Sequence, residues 1–296
     1  MLPPTVSVVD TPAEVRMVVG VVKSGERVEI ARRTRNWALI RAAGNLTGWV
    51  ENNVLLDAHT YEEGQKLLRD LNNVPVQAEG HTSGVVNLRL EAARDAPQLA
   101  QLPQNVKLQI FGRQWLARPA PEGQPAPAAK VSDAWYLIRT DSHAGWLLGR
   151  FVALDIPEKL APFAQGSNMV AWVVLKTVDD GGQAVPEYLT ADRVGTQEAD
   201  FSHIRVFTWW IKHQEYVTAY VESDLNGYFP MRTAVVNGVP YFRLRLMDAQ
   251  GEKYQKVYGL FDTITRAVGT VPGWESDAMP AAPVTQHHLR SGRRQN

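Results

Sequence analysis

Hydrophobic and polar residues alternate in short runs over positions 5–57. Val18-Val19-Gly20-Val21-Val22, Arg27-Val28-Glu29-Ile30, Trp37-Ala38-Leu39-Ile40-Arg41 and Gly48-Trp49-Val50 are each the length of a short strand. Lys23-Ser24-Gly25 and Ala43-Gly44-Asn45 separate them, with Gly and Asn to supply the positive φ angles of tight turns. Short strands at this spacing predict a small β-barrel. The period then changes over 58–79. Thr60-Tyr61-Glu62-Glu63 reads as a capping box, and Leu67, Leu68 and Leu71 form one helical face. Asn72-Asn73-Val74-Pro75 ends the run, which predicts a helix of about twelve residues as a spacer between modules.

The pattern of 5–57 then returns over 80–157. Trp37-Ala38-Leu39-Ile40-Arg41 and Gly48-Trp49-Val50 come back as Trp135-Tyr136-Leu137-Ile138-Arg139 and Gly145-Trp146-Leu147. A repeat at this scale predicts two small domains of one type. Aligning Ile30 with Ile110 makes the second copy longer, and the surplus falls mainly at 118–130, an Ala/Pro-rich loop unable to form a core.

Val86-Asn87-Leu88-Arg89, the Trp-x-Leu-Ile-Arg strand and Gly-Trp-Val/Leu resemble the bacterial SH3 (SH3b) family. The first copy has Val6-Ser7-Val8-Val9 at the opening position, so its resemblance rests on its later half. The resemblance implies tandem β-barrels, usually outside the cytoplasm, that bind cell-wall peptide or glycan or dock an envelope protein, without catalysis. It also implies that Trp49 and Trp146 pack into the barrels. Trp37, Trp135 and the adjacent Tyr136 are the candidate ligand contacts, with plain packing as the other reading.

Residues 167–275 carry longer apolar strands, predicted at 169–178, 203–211, 216–222, 232–236, 239–247 and 253–258. Residues 257–268 suit strand or short helix equally. Asn237-Gly238 is the strongest two-residue type I′ hairpin signal and pairs Val235 with Pro240 and Arg232 with Arg243. One face then holds Met231, Thr233, Val235, Phe242, Leu244 and Leu246, and the other holds Arg232, Tyr241, Arg243 and Arg245. Like charges directly opposite repel. A solvated face, an ion-pair network or an anionic ligand would each relieve this. A His213-Gln214 turn places Phe207, Trp209, Ile211, Tyr216 and Tyr220 on one aromatic face, which is either a stacking surface for sugar or peptide or a covered sheet face. Residues 276–296 read as a disordered basic tail. The fold class expected is mainly β: two SH3b-like small β-barrels joined by a short helix, plus a C-terminal antiparallel β-sheet domain.

Composition narrows the chemistry. The 296 residues hold 31 basic and 31 acidic side chains, so nothing global points to nucleic acid. Zero cysteines remove thiol nucleophiles, disulfides and thiolate metal sites. His203 and His213 stand at two ends of one strand, too far apart to share a metal, and no metal or cofactor is expected. No nucleophile elbow or phosphate-cradling glycine loop occurs. Asp192/Glu198 and Glu222/Asp224 are carboxylate pairs of the sort that commonly only solvate a surface. Neither a signal peptide nor a membrane-spanning run is expected in these residues. The expected function is non-catalytic binding or scaffolding in the bacterial cell envelope, outside the cytoplasm. The alternatives are a Cys-independent wall hydrolase with its site in the C-terminal domain, and an envelope assembly subunit with no small ligand.

Overall fold

The computed structural model describes residues 5–117, 132–194 and 199–275. The loop expected at 118–130 and the tail expected at 276–296 lie outside the described residues. The first barrel comprises β1 (Thr5–Val9), β2 (Val18–Lys23), β3 (Glu29–Arg33), β4 (Trp37–Arg41) and β5 (Thr47–Glu51), in the order β2-β1-β5-β4-β3. Val8, Val22, Ala38, Ile40 and Val50 fill its core. Helix α1 (Ala58–Asp70) follows. Its N-cap is Asp57, not Thr60, because the Asp57 carboxylate accepts both the Thr60 N–H (2.9 Å) and the Thr60 hydroxyl (2.7 Å). The backbone N–H of Thr60 is the main reason that carboxyl is held below its ordinary pKa. The helix face Leu67, Leu68 and Leu71 packs against Phe111 and Ala144.

The second sheet holds β6 (Ala78–Thr82), β7 (Val86–Arg89), β8 (Gln98–Leu102), β9 (Lys107–Ala117), β10 (Ser132–Arg139), β11 (Ala144–Leu148) and β12 (Val152–Leu154). Its order is β12-β6-β9-β10-β11-β7-β8, so β8-β7-β11-β10-β9 repeats the first barrel strand for strand, and β6 and β12 are added at the β9 edge. Register agrees as well. Ile40 faces Gly48 and Ile30, and Ile138 faces Gly145 and Ile110. Both copies carry a bulge just after that isoleucine, at Ala31 and at Phe111. Gly80 sits where β6 is squeezed against β12: a Cβ there would come within 2.4 Å of the Ala153 carbonyl oxygen. That obstacle is backbone and cannot swing away. Gly80→Ala is expected to lower stability by about 1–3 kcal/mol, and urea unfolding of the full chain measures it.

A short helix, α2 (Ala161–Ala164), leads into the C-terminal domain. Two four-stranded antiparallel meanders lie face to face there. The first comprises β13 (Met169–Asp180), β14 (Gln183–Asp192), β15 (His203–Trp210) and β16 (Glu215–Glu222); the second comprises β17 (Gly227–Val236), β18 (Val239–Met247), β19 (Lys253–Phe261) and β20 (Ile264–Pro272). Ala171, Val173, Leu189, Ile204 and Val206 meet Met231, Phe242, Leu244, Tyr258 and Leu260 between them. Strand β14 escapes a reading by pattern because Pro186 interrupts it. Proline is tolerated there because the β14–β15 pairing covers only 188–192, leaving one side of Pro186 without a ladder. Residues 257–268 resolve as the β19–β20 hairpin rather than a helix.

Part of the outer face of the first meander is covered by the second barrel. Met169, Trp172, Tyr188 and Phe207 continue into the core of the second barrel beside Leu88, Ile110 and Ile138. One buried residue ties the three sheets together at this junction. Strand β17 loses register between Tyr228 and Arg232, which leaves Met231 outside the β18 ladder. Gln77 completes it: the Met231 N–H donates to Gln77 Oε1 (2.7 Å), and Gln77 Nε2 donates to the carbonyls of Met231 (3.1 Å) and Pro75 (2.8 Å). Its own backbone N–H donates to Ile110 and its carbonyl accepts from Trp172.

Candidate functional site

A broad concavity lies where α1 leans on the second barrel. It is a groove of about 880 Å³. Leu68, Arg69 and Asn72 at the end of the helix form one wall; Glu79 and Gly80 of β6 and Lys107, Leu108 and Gln109 of β9 form the floor; Arg139, Thr140, Asp141 and Asp155 close it. Strand alternation explains the floor. Ala78, Gly80, Leu108 and Ile110 point into the barrel, so Glu79, Lys107 and Gln109 point out.

Arg139 is held flat on this surface. Its Nε and Nη2 donate to Gln109 Oε1 (3.0 and 2.7 Å), Nη1 donates to Asn72 Oδ1 (2.9 Å), and the guanidinium lies over the Phe111 ring. All of these partners are neutral, so the positive charge stays uncompensated. Arg69 and Lys107, and likewise Glu79 and Asp141, are exposed and have no ion-pair partner among the described residues. Asp155 is engaged by His81 Nδ1 at 2.7 Å. Uncompensated charges of both signs therefore share one groove.

A second groove of about 460 Å³ adjoins it through Lys107, Thr140 and Asp141 and reaches Lys23 and Ser24 of the first barrel. Ser142 Oγ and His143 Nδ1 lie 2.8 Å apart beside it. Burial lowers the His143 pKa from its ordinary value.

The candidate residues read from sequence are scattered over several places. Trp37 is half-buried with the Arg16 guanidinium 5.0 Å above its ring. Trp135 is no exposed contact: it is 3 % exposed and packed with Ala92 and Leu148. Tyr136, beside it, is half-buried. Trp209 and Tyr216 share a face as expected, edge to face at 5.0 Å, but the surface is closed by hydrogen bonds from Trp209 Nε1 to Asp180 and from the Tyr216 hydroxyl to the Pro186 carbonyl. Tyr220 lies on the opposite face. The turn spans 211–214, and a bulge between Val206 and Phe207 places Tyr220 opposite Val206, facing the inner core.

The Asn237-Gly238 hairpin has the expected register, with both residues at positive φ and Arg232 opposite Arg243. Met231, Phe242, Leu244 and Leu246 are buried, whereas Thr233 and Val235 extend beyond the sandwich into solvent. On the other face Arg243 is buried, Arg232 and Tyr241 are half-buried, and Arg245 donates to the Trp274 carbonyl. Trp274 straps this face, its ring 4.9 Å from Tyr228 and its Nε1 bonded to Leu246.

Two ionic clusters lie away from the grooves. Desolvation works to raise the Glu222 pKa, but hydrogen bonds from Lys256 (2.6 Å), Tyr220 (2.7 Å) and Tyr258 (2.8 Å) win and lower it. Asp192, taken from sequence as half of a carboxylate pair, accepts two bonds from Arg205, which also reaches Phe163 and Ser167 beside α2. Glu198 is outside the described residues. Among the described residues, no three His, Asp or Glu side chains are grouped to hold a metal, and no helix is long and apolar enough to cross a membrane.

The groove residues Arg69, Glu79, Lys107, Arg139 and Asp155 were not singled out by sequence. The available signal was polar residues at alternate positions of β6 and β9, but their convergence depends on β6 crossing to the β9 edge. No curated protein matches this sequence. A solved structure described as "Structure of NlpC2 from Trichomonas vaginalis" is 11 % identical, covering 92 % of this chain and 94 % of that one, with a TM-score of 0.19, too low to carry any argument about fold or activity. Residues 12–55, from the β1–β2 loop to the turn after β5, match the bacterial SH3 domain family, and the first barrel of this chain is therefore a bacterial SH3 domain.

Proposed function

We propose that this chain is a non-catalytic binding protein of the bacterial cell envelope, working outside the cytoplasm, and that the groove between α1 and the second barrel holds a cell-wall peptide. The observation that carries this reading is the set of uncompensated charges in the groove: Arg69, Lys107 and Arg139 against Glu79 and Asp141. A stem peptide presents free carboxylates and an amine at short spacing, so it can meet both signs at once. The bacterial SH3 domain match supports the wall as the source of the ligand. The volume of about 880 Å³ suits a short peptide. Arg139 is already oriented by Gln109 and Asn72, which reduces the ordering cost of engaging a carboxylate.

Isothermal titration of the full chain with a soluble muropeptide tests the proposal. Saturable binding is expected to weaken with salt. Reversing the two exposed cations, in Arg69→Glu/Lys107→Glu, is expected to weaken it about tenfold with the melting temperature unchanged. Absence of binding to muropeptide and to purified sacculi alike overturns the reading.

A further inference from the structure

We infer that the groove selects a zwitterionic stretch of peptide, with a free carboxylate held by Arg139 and a primary amine held by Glu79. This rests on the wall-peptide reading above and specifies which chemical groups the site takes. Glu79 of β6 pairs with Gln109 of β9, and Gln109 pairs in turn with Arg139 of β10. Their chain neighbours Ala78, Gly80, Leu108, Ile110 and Ile138 are buried in the barrel, so all three side chains stand on its outer face. They form one rung across three adjacent strands: an acid at one end, a neutral amide in the middle and a base at the other. Twice the ~4.8 Å strand spacing separates the charged ends, about 10 Å at the backbone. Among the described residues Glu79 and Arg139 form no ion pair, with each other or with any third group. A ligand that carries an amine and a carboxylate one long side chain apart spans that gap and pairs both.

The carboxylate end is the more closely defined. A guanidinium has five N–H donors and no acceptor. In Arg139, Nε and Nη2 each give one to Gln109 Oε1, and Nη1 gives one to Asn72 Oδ1. One N–H remains on each terminal nitrogen, which is the number a carboxylate accepts in a two-point contact. A primary amide has a single acceptor oxygen and sets its own donors against the guanidinium, so amidation of the ligand removes this contact. Because Gln109 turns its oxygen to Arg139, its NH₂ is left to donate to a ligand carbonyl between the two ends. Lys107 and Asp141 also line the groove. Both are exposed and neither is fixed by a hydrogen bond among the described residues, so they add charge without setting a geometry.

Isothermal titration of the full chain with three synthetic stem peptides, each with its N-terminus blocked, tests this. The first carries a lysine-type amine and free carboxylates, the second has those carboxylates converted to amides, and the third has the amine acetylated. The parent is expected to bind the first at least about tenfold more tightly than either of the others. Arg139→Gln is expected to lose the preference over the amidated peptide and keep the preference over the acetylated one. Glu79→Gln is expected to do the reverse, a crossed pattern that general loss of charge or of packing does not produce. Glu79 is exposed, so if Arg139→Gln fails to fold, the Glu79 arm decides. Equal affinity for the three peptides overturns the inference and leaves the wall-peptide reading standing, whereas binding of none overturns both. Preferences that persist unchanged in the variants overturn the assignment of the two ends.

Discussion

Replacing Gln77 with alanine is expected to destabilise the protein by about 3–5 kcal/mol and lower its melting temperature by about 10 °C. The side chain is fully buried and bonds both the N–H and the C=O of Met231 at the β17 bulge, as well as the Pro75 carbonyl. Alanine leaves those groups without partners, and each orphaned buried group costs about 1–3 kcal/mol. Gln77→Leu separates the polar from the packing contribution, since it restores volume but bonds nothing. Leucine is expected to be nearly as damaging as alanine. Recovery of the parent melting temperature by leucine would show that the amide merely fills space. Because the second barrel and the sandwich share a core, the parent is expected to melt them together in calorimetry. The alanine variant should begin to separate the two transitions.

The second large effect lies at the same junction, in the ion pair between Arg113 of β9 and Asp200. Both side chains are almost fully buried. Arg113 Nε donates to the Asp200 carboxylate (3.4 Å), its Nη2 donates to the Asp200 carbonyl, and the other carboxylate oxygen accepts the Phe229 N–H (2.9 Å). Asp200→Ala leaves a buried guanidinium without its counter-charge and an N–H without an acceptor. A loss of about 3–5 kcal/mol at pH 7 is expected by urea unfolding.

The pH dependence has a definite sign. Burial raises the Asp200 pKa from 3.8 to about 6, against the opposing pull of Arg113, the Phe229 N–H and Arg193. Between those values the folded protein holds a proton that the unfolded chain has released, so this group stabilises the fold at low pH. That stability is lost as pH rises towards 6, by up to about 3 kcal/mol. Asp200→Asn removes the titration. On acidification from pH 7 to about 4.5 the parent is therefore expected to gain stability relative to the asparagine variant. Parallel stability profiles for the two proteins would refute this assignment.

Much of the fold is legible in local sequence because it is set by local rules. The alternation in β4 and β5, the turn glycines and the Asn237-Gly238 hairpin specify strands and register through backbone sterics and the two-residue side-chain period. Where neighbours in space intervene, local reading fails. Pro186 argues against a strand until β15 is seen to stop short of it, and Tyr220 changes face because Ala219 bulges out of β16. Trp37 and Trp135 are equivalent in sequence, yet only Trp135 is sealed under Ala92 and Leu148.

The candidate site shows the same division more sharply. Sequence by itself determined that the chain repeats a small barrel, that a helix separates the copies, that a second β domain follows, and that no cysteine chemistry is available. Those properties depend on residue type and on spacing over a few positions. Only the tertiary structure decided that β6 and α1 bring Arg69, Glu79, Lys107 and Arg139 into one groove, and that Gln77 joins three sheets. The reason is physical. Charge complementarity and buried hydrogen bonding depend on distances between residues far apart in the chain, and those distances exist only once the hydrophobic cores have closed.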